Sequence, residues 1–176
     1  LMSQRQMMNE ISKVSALVLL NFKGNVPALA AAVVKAKALG VSLDEVAQTT
    51  NGYLDFESSI SKEFEAQLLT GKDLNLQRLR YLALTHDTAG LMAEIGKRIP
   101  SMAEFERMNT IERQSYAEAM NMSEESMAGI IKKQELMRKY GVAENATAGE
   151  TYRTLLKRGL TEQQIQEELG KQAAEQ

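Results

Sequence analysis

Apolar positions along this chain recur with the spacing of an α-helix, and almost nowhere with the two-residue alternation of a strand. Residues 4–22 place Met7, Met8, Ile11, Val14, Ser15 and Val18 near one helical face. Gly24 and Asn25 break that run, and Pro27 fits the first turn of a second, alanine-rich helix over 28–39. Further helices are predicted over 43–51, 56–69, 76–85, 88–98, 102–108, 111–120, 124–140, 150–158 and 162–174. Gly71, Asn75, Asp87, Pro100, Asn109 and Gly141 punctuate them, and the last six residues are expected to fray. Within 56–69, Phe56, Ile60, Phe64 and Leu68 recur in four-residue steps. They predict one buried stripe, with Tyr53 closing one end. Phe105, Met108 and Ile111 predict a second packing anchor around the break at Asn109.

Helix starts carry a shared chemistry. Ser42 with Glu45 three residues later is a capping box, and Val41 and Val46 are placed to staple it. Thr161 with Gln164 repeats the layout, and Ser123 with Ser126 is a weaker version. These starts fall at 42, 123 and 161 with no regular period, so they are not a repeat array. The small polar stretch 143–149 is the best linker. The expected organisation is an N-terminal helical pair (1–39), a helical core (40–141) and C-terminal helices (150–176). The expected class is all-α: short helices joined by Gly, Asn and Pro breaks, as a bundle or an extended array. The longest apolar stretch, 26–43, is interrupted by Lys35, Lys37 and Gly40 and falls short of the about 18 uninterrupted apolar residues of a membrane span. No signal-peptide layout stands at the start.

Composition narrows the function. The 176 residues suit one domain or two small ones, and 44% hydrophobic with 25% charged residues is a folded rather than a disordered balance. Lys and Arg number 21 against 23 Asp and Glu, a net −2 that argues against a duplex-DNA binder with its basic patch. The absence of Cys excludes disulfides and thiolate metal sites, and a single His, His86, excludes His-pair zinc sites. Aromatics at 5% and no Trp are thin for a ligand pocket or a stacking platform. The expectation is a helical structural protein rather than an enzyme, with no catalytic, cofactor-binding or metal residue assigned and no cofactor.

Asp55, Glu57, Glu63 and Glu65 supply carboxylates of the type that glycoside cleavage uses. Lys62 stands among them and no aromatic sugar platform is evident, so a solvated helix face is the better reading. His86 before Asp87 fits a helix end, where it would meet terminal carbonyls and pair with Asp87. Gly71-Lys72-Asp73 lacks the upstream glycine and the Ser or Thr of a phosphate-binding loop. The ten methionines fit gap-filling in a helical core better than an adaptable partner groove. Lys132, Lys133, Arg138 and Lys139 complement a helix C-terminus.

The middle of the chain resembles a known family. Leu54 to Ser61 (LDFESSIS), Glu65 to Leu76 (EAQLLTGKDLNL), Ala103 to Phe105, Met108 to Ile111 and Ala119 to Ser123 are similar to a stretch of tail tape measure proteins of tailed bacteriophages. The similarity covers about residues 40–135. It implies a structural segment of a long helical chain that lies inside the tail tube, sets tail length and is released during genome ejection. A helix rises about 1.5 Å per residue, so a chain of this size could span about 260 Å if straight. The Gly and Asn breaks instead favour a folded part, such as a helical knot near the tail tip.

The resemblance also implies a homo-oligomer, a trimer by analogy, that contacts the tail tube and the tail-tip or baseplate hub proteins. It implies no sequence-specific nucleic-acid recognition and membrane contact only during ejection. The implied location is the tail lumen or tip of a virion assembled in the bacterial host cytoplasm. The opening Leu1-Met2-Ser3 fits either a tag remnant or a piece of a longer polypeptide. Two rival readings remain at this stage: a stand-alone helical adaptor binding partner helices through Met-rich faces, and a peptidoglycan-cleaving domain using Glu57, Glu63 or Glu65.

Overall fold

Side-chain caps fix where the helices of this chain begin. In the computed structural model, which describes residues 3–12, 16–23, 25–144 and 146–169, Ser42 Oγ accepts from Glu45 N–H at 3.1 Å. The Ser42 N–H donates in turn to Glu45 Oε2 at 2.7 Å. Thr161 and Gln164 exchange the same pair of bonds, and Ser123 Oγ accepts from Ser126 N–H at 3.0 Å. Asn25, Asp55, Asp87, Ser101, Asn109 and Thr147 each accept one backbone N–H at a helix start. Asp87 spends its carboxylate on Gly90 N–H, and His86 beside it is exposed in a left-handed conformation, φ 58°. Gly40 closes its helix at φ 92°, where a side chain would be strained.

The described residues form twelve helices and no strand. They are α1 (Gln4–Ser12), α2 (Ala16–Asn21), α3 (Val26–Leu39), α4 (Leu43–Leu54), α5 (Phe56–Thr70) and α6 (Gln77–Leu84). They continue with α7 (Thr88–Arg98), α8 (Met102–Arg107), α9 (Thr110–Ala119), α10 (Glu124–Tyr140), α11 (Ala148–Lys157) and α12 (Glu162–Leu169). The fold is all-α. Two helices, α1 and α2, occupy the span expected to be one. Val14 and Ser15, and the expected continuation of the last helix past Leu169, lie outside the described residues. None of the described helices is long and apolar enough to cross a membrane.

Three buried clusters hold the helices together. The main one joins α4–α10 around Tyr53, Leu76, Leu79, Leu91, Met120 and Ile130. The second packs the alanine-rich α3 (Ala32, Val33, Ala36) against Val18, Leu43, Val46 and Met92, and so crosses residue 40. Its small side chains let α3 and α7 approach closely. The third gathers Leu136, Val142, Leu155 and Ile165. α10 serves two clusters, with Ile130 and Ile131 in the main one and Leu136 in the third.

The methionines bear on one rival reading. Met92, Met120 and Met127 are fully enclosed, Met108 is buried, and Met102 and Met122 pack on the main core. These six side chains are therefore spent inside the fold, while Met8 on α1 is 61% exposed. The unbranched, adaptable shape of the six fills gaps between short helices.

Candidate functional site

Helix α5 has two contrasting faces, and the one turned inward is small and polar. Ser59 and Ala66 have almost no exposed surface, and they let α5 lie along α9. Just before α5, Tyr53 Oη donates to Met120 C=O at 3.0 Å, at the far end of α9. Just after α5, Lys72 pairs with Glu104, which precedes α9. The two helices accordingly run in opposite directions. On the inner face Arg80 Nη1 donates to Glu63 Oε2 at 2.7 Å and to Ser59 Oγ at 3.2 Å, while Glu63 Oε1 accepts Leu76 N–H at 2.8 Å. Both Glu63 oxygens are thus engaged in positioning the turn into α6. Glu57 and Glu65 face solvent, so the three carboxylates do not converge on one cleft.

The outer face carries the stripe predicted to be buried. Phe56, Ile60, Phe64 and Leu68 do share a face, but they are 42%, 53%, 62% and 70% exposed. The expectation is overturned because α9 lies against the Ser59–Ala66 side, which sits well round the helix from the stripe at about 100° per residue. Four-residue spacing states which residues share a face and leaves open which way that face turns. Tyr53 does not close the stripe. It sits fully buried in the main core, and burial pushes its phenol well above the ordinary range.

The second predicted anchor is divided. Met108 is buried, and Phe105 packs against the main core with the Arg113 guanidinium 4.7 Å above its ring. Arg113 Nε also donates to Phe105 C=O at 2.9 Å. Ile111, by contrast, is 63% exposed. The Asn109 cap accepting Glu112 N–H restarts the chain in a direction that turns Ile111 outward.

A small cleft of about 160 Å³ lies between α4 and α10, lined by Glu45, Val46, Thr49, Asn121, Ser126 and Ile130. Asn121 adopts φ 56°, a conformation that Asn tolerates better than most residues. Its C=O accepts from Thr49 Oγ1 at 3.1 Å, and its buried Nδ2 has no hydrogen-bond partner. Glu45 Oε1 accepts from Ser126 Oγ at 3.1 Å, which ties the start of α4 to the start of α10. The cleft reads as a joint between helices. Nothing in the hydrophobic pattern marks this cleft; Gly52, just past the helix expected over 43–51, falls inside α4 and stands against Asn121. A methyl there would stand 2.5 Å from Asn121 Cγ.

The strongest electrostatic cluster is structural as well. Glu94 on α7 pairs with Arg98 at 2.5 Å, Arg78 at 3.2 Å and Lys97 at 3.3 Å. The Arg98 hydrogen bond, followed by those of Lys97 and Arg78, outweighs the cost of burial and holds the Glu94 carboxyl down at about 2. Arg98 also donates to Leu74 C=O, and Tyr116 Oη donates to Arg98 C=O. Among the described residues no group of three or more acidic or His side chains could hold a metal ion.

Protein-family models, curated proteins and solved structures were compared with the chain, and none matches it. Among the described residues, Phe56, Ile60, Phe64 and Leu68 leave an exposed apolar stripe on α5.

Proposed function

We propose that this chain is a structural segment of a phage tail tape measure protein, acting through helix packing and contacts with neighbouring tail components rather than through catalysis. The observation that carries the reading is the similarity of wording over about residues 40–135, joined to an all-helical fold with a large unpartnered apolar face. A tail component must be held by its neighbours during assembly and released at ejection. An exposed stripe flanked by Ser and Glu suits a contact that forms and dissolves. The tube and the tail-tip or baseplate hub are the proposed neighbours, and the virion tail lumen or tip is the proposed location. Antibody raised against the chain tests this on purified particles by immunogold microscopy of intact and partly disassembled tails. Label confined to tails or tail tips is the expected result, and label on capsids or on no particle would contradict it.

A second reading, a free-standing adaptor, is favoured by the same exposed stripe. It would bind a partner helix through Phe56, Ile60, Phe64 and Leu68, not through the methionines. Recovery of the protein as a free 176-residue chain in the host, absent from particles, would select this reading.

A further inference from the structure

The stripe on α5 has a symmetry that the proposed function does not require. Phe56, Ile60, Phe64 and Leu68 are evenly spaced about residue 62, alternating aromatic and aliphatic. We infer that this face is a two-fold interface between copies of this chain, with the α5 helices packed antiparallel.

In that arrangement Phe56 meets Leu68 of the second copy, and Ile60 meets Phe64. Every aromatic side chain then faces an aliphatic one, whereas a parallel pairing would stack like on like. Large against smaller side chains is the arrangement that interdigitates. The flanking charges agree with it. Glu57 and Glu65, the exposed carboxylates of α5, fall at the levels of Gln67 and residue 59 of the second copy, so neither meets another carboxylate, while Glu63 is held by Arg80 on the inner face, where Ser59 is buried. Lys62, at the symmetry level, lies on the far side of the helix from the stripe. Antiparallel helices also set their dipoles favourably.

The area says what kind of dimer to expect. At roughly 150–250 Å² per large side chain, the exposures of 42–70% leave about 400 Å² of apolar surface per copy. With the flanking side chains, a pair covers on the order of 1,000 Å², the lower bound for a specific interface. The dimer is therefore weak and concentration-dependent. The inference rests on α5 alone and not on the proposed function, whose family resemblance implies three copies rather than two.

Sedimentation equilibrium of the 176-residue chain from micromolar to near-millimolar concentration tests it. The weight-average mass is expected to rise from 19.5 kDa toward twice that value. Phe64→Glu and Ile60→Glu should each weaken association at least about tenfold without lowering Tm, because both positions are exposed. Leu84→Glu, at an exposed position on α6, should leave association unchanged.

The absence of Cys from the sequence allows a direct check of geometry. Under oxidation, a mixture of Phe56→Cys and Leu68→Cys chains should form the mixed disulfide, while neither variant alone dimerises covalently. A chain that stays at 19.5 kDa throughout, a limiting mass of three copies, undiminished association of Phe64→Glu, or self-linking of either single-Cys variant would overturn the inference.

Discussion

Phe64 shows how far a single side chain can depart from its pattern. Its spacing places it with Phe56, Ile60 and Leu68, yet it is 62% exposed, because Ser59 and Ala66 take the place against α9. Phe64→Ala should therefore change unfolding stability by no more than about 0.5 kcal/mol. Ile130→Ala, in the main core with no exposed surface, should cost about 2–5 kcal/mol. Urea titrations of the two variants separate these outcomes, and a large loss for Phe64→Ala would return the stripe to the interior. Gly52→Ala gives a second residue-level check. The added methyl meets the Asn121 side chain at 2.5 Å, so the variant should lose about 1–3 kcal/mol by the same measurement.

At this scale the sequence was legible where local chemistry decides. The Ser42 and Thr161 capping boxes, the helix-closing Gly40 and the buried Met108 all follow from nearby residues. What it could not reveal was the direction in which an amphipathic face turns. On α5 both faces are plausible interiors, and the choice depends on α9, about fifty residues away.

The helices are joined by polar clamps as much as by caps. Glu94 ties α7 to α6 through Arg78 and to its own C-terminal turn through Arg98, and it is held at about 2. A carboxyl depressed in the folded state contributes stability above its unfolded value of 4.5, which is lost as pH falls from there toward about 2. Burial acts oppositely on Tyr116, whose phenol is pushed up to about 12 from 10.0. The unfolded chain therefore ionises first as pH rises past 10, and stability declines from 10 toward 12. Tm measured across pH should show a plateau bounded by these two limbs. Glu94→Gln should lower the plateau and flatten the acid limb, whereas an unchanged acid limb would remove Glu94 from the account. The Glu94–Arg98 pair follows from i,i+4 spacing on one helix, but the longer-range partners do not, because Glu94 is brought to Arg78 by the α6–α7 turn and Tyr116 to Arg98 across the core.

Over the whole molecule, helix content and most helix boundaries followed from periodicity and punctuation. The sharing of clusters did not. Met92 on α7 buries itself with α3, and α10 supplies two cores, so the second cluster crosses the expected boundary near residue 40 and the third crosses the one near residue 141. Most of the polar chemistry is spent inside this framework, while an apolar stripe is left on its surface. The proposed role in a tail assembly draws on that stripe. The central claim is that the chain is a segment of a tape measure, and a ruler needs length. The most direct measurement is the intact mass of the native polypeptide under denaturing conditions, taken from the particles or cells that make it. The account predicts a chain several times heavier than 19.5 kDa, and a native mass near 19.5 kDa would contradict it.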